Sequence, residues 1–257
     1  MGSHHNVTKN NAAHIKIGAI VQARMGSERL PGKSLMEIGG KPLLEYLIEN
    51  LKTAKYLSTV VLATTTLDED AVLMELAERF GVCGFRGSEN DVLSRYSKAA
   101  EANELDVVVR VTGDNILTDI DGMDKAISLY LKDGPDLITN GGDDGYPLGT
   151  GVEVLSTNLL HELNKVVTCE EEREHVTLHV YRSRGKYRIM RFKAPSHYRN
   201  LNVRLTIDTP EDLMLIRRLY KGINDQNEDF KLPQVLKYLD EHQELKKINE
   251  HITQKTF

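Results

Sequence analysis

Ile15-Lys-Ile-Gly-Ala-Ile-Val-Gln-Ala23, followed at once by Arg24-Met-Gly-Ser-Glu-Arg-Leu-Pro-Gly-Lys-Ser34, is the stretch on which the reading of this chain turns. The first part is short, apolar and β-branched, the signature of a buried strand. The second part is polar, with two glycines, two arginines and a lysine, and reads as a loop. Pro42 then opens a helix, with Leu43, Leu44, Leu47, Ile48 and Leu51 on one face. The same unit recurs downstream. Thr59 to Ala63 is a second buried strand. Asp68 to Phe80 is a second helix, with Asp68 as N-cap and Gly81 as the stop. A helix over Asn90 to Glu101, a strand over Val107 to Val111, a helix over Gly122 to Leu131 and a short strand over Leu137 to Thr139 follow. Alternation of this kind predicts an α/β fold with a mostly parallel sheet flanked by helices on both faces. Ligands of such sheets bind outside the carboxyl ends of the strands, so the loops after Ala23, Ala63, Val111 and Thr139 are the ones to inspect.

Beyond residue 140 the pattern loosens. Tyr187 to Phe192 and Val203 to Ile207 read as strands, and Pro210 to Leu219 and Pro233 to Leu245 as helices, so a smaller β-rich region is expected there. No repeat or low-complexity segment interrupts the chain, and residues 14–257 read as one domain. Residues 1–13 read as a disordered tail carrying a tag remnant, with His4 and His5 belonging to the tag rather than to a metal site. The 257 residues carry a net charge of −5, which argues against nucleic acid as a partner. No segment approaches the roughly 20 apolar residues of a membrane helix, and no membrane association is expected. Cys83 and Cys169 are too few for a disulfide framework, so the expected compartment is the reducing cytoplasm.

The loop after the first strand suits a phosphate. Glycines let backbone N–H groups approach its oxygens, and Arg24, Arg29 and Lys33 supply positive charge. It is not a Walker A loop. Gly32-Lys33-Ser34 fits the end of that motif, but its first glycine would have to stand at Ser27 and stands at Gly26, and Pro31 removes a needed N–H. A solvated basic turn is the alternative. Two aspartates also stand at strand ends: Asp114 in Val109-Arg-Val-Thr-Gly-Asp-Asn115, and Asp208 in Leu205-Thr-Ile-Asp-Thr-Pro-Glu-Asp-Leu213. Two such carboxylates can share one Mg²⁺ with nucleotide phosphates. Asp208 also suits an N-cap ahead of Pro210, and Asp114 also suits a simple turn with Gly113.

The order Arg24, Ser27, Arg29-Leu-Pro-Gly-Lys33, together with Gly113-Asp114 and Asp208-Thr-Pro-Glu-Asp-Leu213, resembles the cytidylyltransferases that activate acidic sugars. The likeness is nearest to the SpsF-like, spore-coat-polysaccharide type and extends to the CMP-KDO and CMP-sialic acid synthetases. It implies a Rossmann-like, GT-A-like nucleotidyltransferase domain whose second half serves the acceptor and a homodimer. It implies transfer of CMP from CTP to an acidic sugar or another small anionic acceptor, phosphorylated or phosphonylated compounds included, with Mg²⁺ as cofactor and pyrophosphate as product. By the same resemblance Arg24, Lys33, Asp114 and Asp208 are catalytic, and Asp114 and Asp208 hold the metal. Gln22, Ala23, Arg24, Gly26, Ser27, Arg29, Lys33, Ala63, Thr64, Arg86, Ser88, Thr112 and Asp114 would line the nucleotide. Asn115, Gly149, Glu153 and His175 would face the acceptor. The chain departs from the family pattern at Ile116, where proline is usual, at Gly151, where aspartate is usual, and at Leu178-His179, where Pro-Tyr is usual.

Three readings stay open on the sequence. Asp91 and Arg95 can form an i,i+4 helix pair. His175 can be a structural residue held by a backbone partner. The segment from Arg173 to Arg204, with Arg173, Arg182, Arg184, Lys186, Arg188, Arg191, Lys193, Arg199 and Arg204 against Glu174 alone, can be a solvated strand face, an anion-attracting rim or a dimer arm. Two other functions compete: a glycosyltransferase using a nucleotide sugar, although Gly113-Asp-Asn-Ile116 is not its Asp-x-Asp motif, and a non-catalytic nucleotide-binding protein.

Overall fold

A computed structural model describes residues 15–141, 145–198 and 203–254. The tail expected over residues 1–13 lies outside them. Strand β1 (Ile17–Gln22) is the axis of the sheet: five of its six residues are buried, because helices cover both faces. Glu37–Ile38 and Lys41–Pro42 (β2 and β3) make a small hairpin that delivers the chain to α1 (Leu43–Leu51), so Pro42 precedes the helix rather than opening it. Strand β4 (Thr59–Thr65) runs two residues further than its apolar core suggests, since Thr64 and Thr65 are also buried. A single turn over Asp68–Asp70 leads into α2 (Ala71–Arg79). Asp68 makes no capping bond there, whereas Gly81 closes the helix in the left-handed region as expected.

Strand β5 (Cys83–Gly87) escapes the apolar criterion because it is an edge strand with a largely exposed face. Helix α3 (Val92–Ala102) starts two residues later than read, because Asp91 caps it by accepting the Ser94 N–H at 2.9 Å. Strand β6 (Val107–Thr112) and helix α4 (Ile120–Asp133) follow, the helix beginning two residues before Gly122. β7 (Leu137–Thr139) and β8 (Glu153–Ser156) complete the middle of the chain.

The second half is not β-rich. It supplies α5 (Thr157–Val166), α6 (Glu170–Glu174), α7 (Leu178–Arg182), a three-residue β9 (Ile189–Arg191), α8 (Pro210–Asp225) and α9 (Leu232–Glu241). Tyr187 to Phe192 therefore shortens to β9. Val203 to Ile207 makes only an isolated bridge, Leu148 to Arg204. Its backbone groups serve other elements instead: the Ile207 N–H donates to the Asp114 carbonyl at 3.0 Å, and the Asn249 amide to the Arg204 carbonyl at 3.0 Å. α8 runs well past Leu219 and α9 begins at Leu232.

The strands lie in the order β5-β4-β1-β6-β8-β7-β9. β1 pairs in parallel with β4 and β6, and β4 with β5, so Gln22, Thr65, Gly87 and Thr112 end at one edge. β8 alone runs antiparallel to its neighbours, and its register sets Glu153 beside Arg110. Alternation along β1 divides the core. Ala19 and Val21 face the layer of α1, α2 and α8, and Ile20 faces that of α3 and α5.

Candidate active site

The loop after β1 is built to be held. Asp70 is fully buried and accepts the Met25 N–H at 2.6 Å through one oxygen and the Thr65 hydroxyl through the other. The Ser27 and Gly32 N–H groups both donate to the Met25 carbonyl at 2.9 Å. Gly32 has φ of 69°, a left-handed turn that aims Lys33 back across the sheet edge. Ser34 is buried and its hydroxyl meets the Arg24 carbonyl. Arg24 pairs with Glu89 at 3.0 Å.

Lys33 is the focus of the site. Its ammonium donates to Asp114 Oδ2 at 2.8 Å, to Asp208 Oδ1 at 2.9 Å and to the Ile207 carbonyl at 2.9 Å. The other oxygen of Asp208 meets Arg204 at 2.6 Å and Arg29 at 3.1 Å. Burial pulls the Lys33 pKa down, but the two carboxylates outweigh it and hold the ammonium above the usual lysine value. Burial likewise raises Asp208, and Lys33, then Arg29 and Arg204, overcome this and keep its carboxyl below the usual aspartate value.

Asp208 is not the cap of α8. Thr209 takes that place in a capping box with Asp212: the Thr209 hydroxyl accepts the Asp212 N–H and the Asp212 carboxylate accepts the Thr209 N–H. Asp212 is fully buried and also binds Arg204 at 2.9 Å, which in turn steadies Asp208.

The residues read as lining the nucleoside stand together at the ends of β1, β4 and β5. Ala63 pairs with Gln22 and Thr64 with Arg86, while Ala23 donates its N–H to the Ala63 carbonyl at 3.2 Å. Gln22 Oε1 and Thr64 Oγ1 are buried without a hydrogen-bond partner, an arrangement that suits a ligand donor. The Arg86 guanidinium is engaged by the carbonyls of Thr65 and Leu67 at 2.9 and 2.8 Å. Ser88 accepts the Asp91 N–H at 3.1 Å. Gly26 lies against Glu69 at the loop's outer edge.

Beside this cluster opens a cavity of about 980 Å³, and Thr112, Asn115, Gly149, Glu153 and His175 all line it. Gly149 has φ of 94°, and a side chain there would run into the Thr206 backbone at 2.3 Å, so this glycine lets two backbone segments touch. The Glu153 carboxylate is held by three donors: Arg110 at 2.8 Å, Thr177 at 2.9 Å and Tyr181 at 2.6 Å. Burial, with Arg110 contributing, lowers the His175 pKa.

One open reading closes here. Asp91 turns to Arg173 at 2.6 Å, and Arg95 to the Ser88 and Glu89 carbonyls, so they form no helix pair. The basic segment is dispersed. Arg173 joins Asp91, Arg182 joins Glu171, Lys186 joins Glu162 and Arg204 joins Asp208 and Asp212, while Arg191 lines the cavity. Arg199 lies outside the described residues.

The sequence singles out none of Asp70, Arg110, Thr177 and Tyr181, and picks out Arg204 only as part of the basic segment. Arg110 left one legible trace, a charged residue inside the buried run Val107-Val-Val-Arg-Val111.

No cluster of three or more His, Cys, Asp or Glu side chains suited to a metal exists among the described residues. The convergence of Asp114 and Asp208 on one point does fit Mg²⁺, which takes one or two carboxylates and fills its remaining positions with water and phosphate oxygens. No helix of the described residues is long and apolar enough to cross a membrane.

Comparison with known proteins places the chain in a family. The chain is 37% identical over 214 residues to the spore coat polysaccharide biosynthesis protein SpsF of Bacillus subtilis, covering 80% of this chain and 87% of that one. A solved cytidylyltransferase from Leptospira borgpetersenii superposes with a TM-score of 0.83 at 30% identity, over 95% of this chain and 100% of the other. The CMP:2-keto-3-deoxy-manno-octonic acid synthetase, solved with CTP, shares the fold with a TM-score of 0.62 at 16% identity, over 80% of this chain and 99% of its own. Residues 18–245 match the family described as Cytidylyltransferase. This single α/β domain, matched along nearly its whole length, belongs to the cytidylyltransferase family.

Proposed function

We propose that this enzyme transfers CMP from CTP to a small anionic acceptor and releases pyrophosphate. The observation that carries the reading is the meeting of Lys33, Asp114 and Asp208 at one point, beside a cavity large enough for an acceptor. The acceptor hydroxyl oxygen attacks the α-phosphorus in line, the bond from that phosphorus to the bridging oxygen of pyrophosphate breaks, and the hydroxyl proton passes to solvent. Phosphoryl-type transfer asks the protein for positioning and charge neutralisation more than for covalent chemistry.

Each residue then has a task. Arg24, Arg29 and Lys33 would face the triphosphate. Gln22 and Thr64 offer unpaired oxygens to the nucleoside, an amino group being the donor they suit. Asp114 and Asp208 would hold Mg²⁺, which when bound neutralises phosphate charge. Lys33 is the cation that binds both carboxylates, and its chain is long enough to exchange them for a phosphate.

Sugar acids are the acceptor class favoured by the similarity to 3-deoxy-manno-octulosonate cytidylyltransferase, 30% identical over 46% of this chain. A pyrophosphate-release assay tests the whole reading: CTP with sugar acids should release pyrophosphate in the presence of Mg²⁺, and ATP, GTP and UTP should give far less. Equal release with all four nucleotides, or none with CTP, would sink it.

A further inference from the structure

Arg110 has an unusual setting. It stands on β6, the strand next to the axis of the sheet, where the other residues of Val107 to Val111 are apolar and buried. Its side chain is only 18% exposed, and the exposed part opens into the 980 Å³ cavity. One of its five donors is used, by Glu153 at 2.8 Å. Nε is buried and has no partner, a costly state for a guanidinium N–H. The Tyr96 ring lies beneath, 6.0 Å from the guanidinium carbon, and Glu153 is itself fixed by Thr177 and Tyr181, so the fork cannot easily turn away. Arg110 and Thr112 share one face of β6 by strand alternation, and both line the cavity.

The wall opposite is strained in the same place. Val176, between the cavity-lining residues His175 and Thr177, has φ of 52°, a conformation that a β-branched residue rarely adopts. Such strain persists where surroundings over-determine it, and here it turns Thr177 onto the Glu153 carboxylate.

We propose that Arg110 is the anchor for the acceptor's anionic group, and that this group is a carboxylate. The inference rests on the CTP-transfer reading above and adds the acceptor's recognition to it. A planar, bidentate fork matches a carboxylate in geometry. The charge matches as well. Arg110 and Arg191 contribute two positive charges to the lining and Glu153 one negative, which leaves one positive charge to meet a monoanion. A phosphate monoester, near two negative charges at neutral pH, would leave an excess negative charge in a half-enclosed site.

The test uses Arg110→Met and Arg110→Lys with a panel of 3-deoxy-2-keto sugar acids, uronic acids, the corresponding carboxamides and sugar phosphates. The wild type should prefer acids to their amides by about tenfold or more in kcat/KM, the scale of a charged hydrogen bond. Arg110→Met should raise KM for the acid by about tenfold or more and treat acid and amide alike, with Arg110→Lys between the two. CTP affinity, measured by calorimetry, should stay unchanged in both variants. Unaltered acid preference in Arg110→Met, use of sugar phosphates alone, or use of no acid by an enzyme that binds CTP would each overturn the proposal. Should Arg110→Met fail to fold by circular dichroism, Arg110→Lys decides alone. If the wild type does not bind CTP, the transfer reading falls instead, and calorimetric binding of the sugar acids to wild type and Arg110→Lys still decides the role of Arg110.

Discussion

The two sides of the sheet's carboxyl edge are built by different means. Where the strands run parallel, chemistry-bearing groups stand on the loops that follow them, Arg24 and Lys33 after β1 and Asp114 after β6, and they pair with groups of other segments: Arg24 with Glu89, and Lys33 with Asp114 and Asp208. Where β8 pairs antiparallel with β6, the polar groups are carried by the strands and the short helical segment beside them, and Arg110, Glu153, Thr177 and Tyr181 form one internal network. The cause is strand direction. Parallel strands deliver their carboxyl ends, and hence their loops, to one edge. β8 runs the other way and brings its first residue, Glu153, to that edge beside Arg110. Loop groups are free to exchange partners with a ligand. Network groups can only present a shape that is already made.

This contrast can be broken by experiment, and the largest effect is expected at Asp114. Asp114→Asn should lower kcat/KM by about 10³-fold, as loss of a principal electrostatic contact does. Its melting temperature should move by less than about 3 °C, the shift that ~1 kcal/mol causes in a domain of this size. Near-normal turnover would remove Asp114 from the site. Glu153→Gln should behave in the opposite way. It leaves Arg110 without its buried counter-charge and should cost about 3 kcal/mol in urea unfolding, at the lower end for a broken buried pair. A loss under about 1 kcal/mol would show that the network contributes little to stability.

Lys33→Ala should weaken CTP binding by about 1–3 kcal/mol, the worth of a charge-assisted bond, and calorimetry reads it directly. Unchanged affinity would take the loop away from the phosphates.

The smallest effect concerns pH. The Asp208 pKa is held below the ordinary aspartate value, so its contribution to stability is present above that value and is lost as pH falls through the lowered one. The Lys33 pKa is raised, so its contribution is present below the ordinary lysine value and is lost as pH climbs past the raised one. A melting curve taken against pH should therefore fall at both extremes, and Asp208→Asn should flatten the acid limb. An unaltered acid limb would mean that other carboxylates set it.

Much of the first side was readable in advance, because its signals are local. The apolar run Ile17 to Val21 reports a strand buried on both faces, and the glycines, cations and Asp114 follow their strands within a few residues. The periodicity of α1 likewise survives folding almost intact. What misled was local as well. Val203 to Ile207 alternates apolar and polar residues as a strand does, yet its backbone is claimed by Leu148, Asp114 and Asn249 rather than by a neighbouring strand. Asp208 sits where a cap would sit, and Thr209 caps instead, so the carboxylate is left for Lys33. Strand β5 was missed because an edge strand with an exposed face carries no apolar run.

The sequence by itself determined the α/β alternation, the cationic loop after the first strand and the two aspartates at strand ends, since periodicity and turn chemistry are written in adjacent residues. Only the tertiary structure decided that Lys33 would meet a carboxylate 175 positions away, and that Arg110 would find Glu153 across an antiparallel pair. Pairings of that kind depend on sheet register and on how the low-dielectric interior forces each buried charge to find a partner. Neither is set by any short stretch of chain.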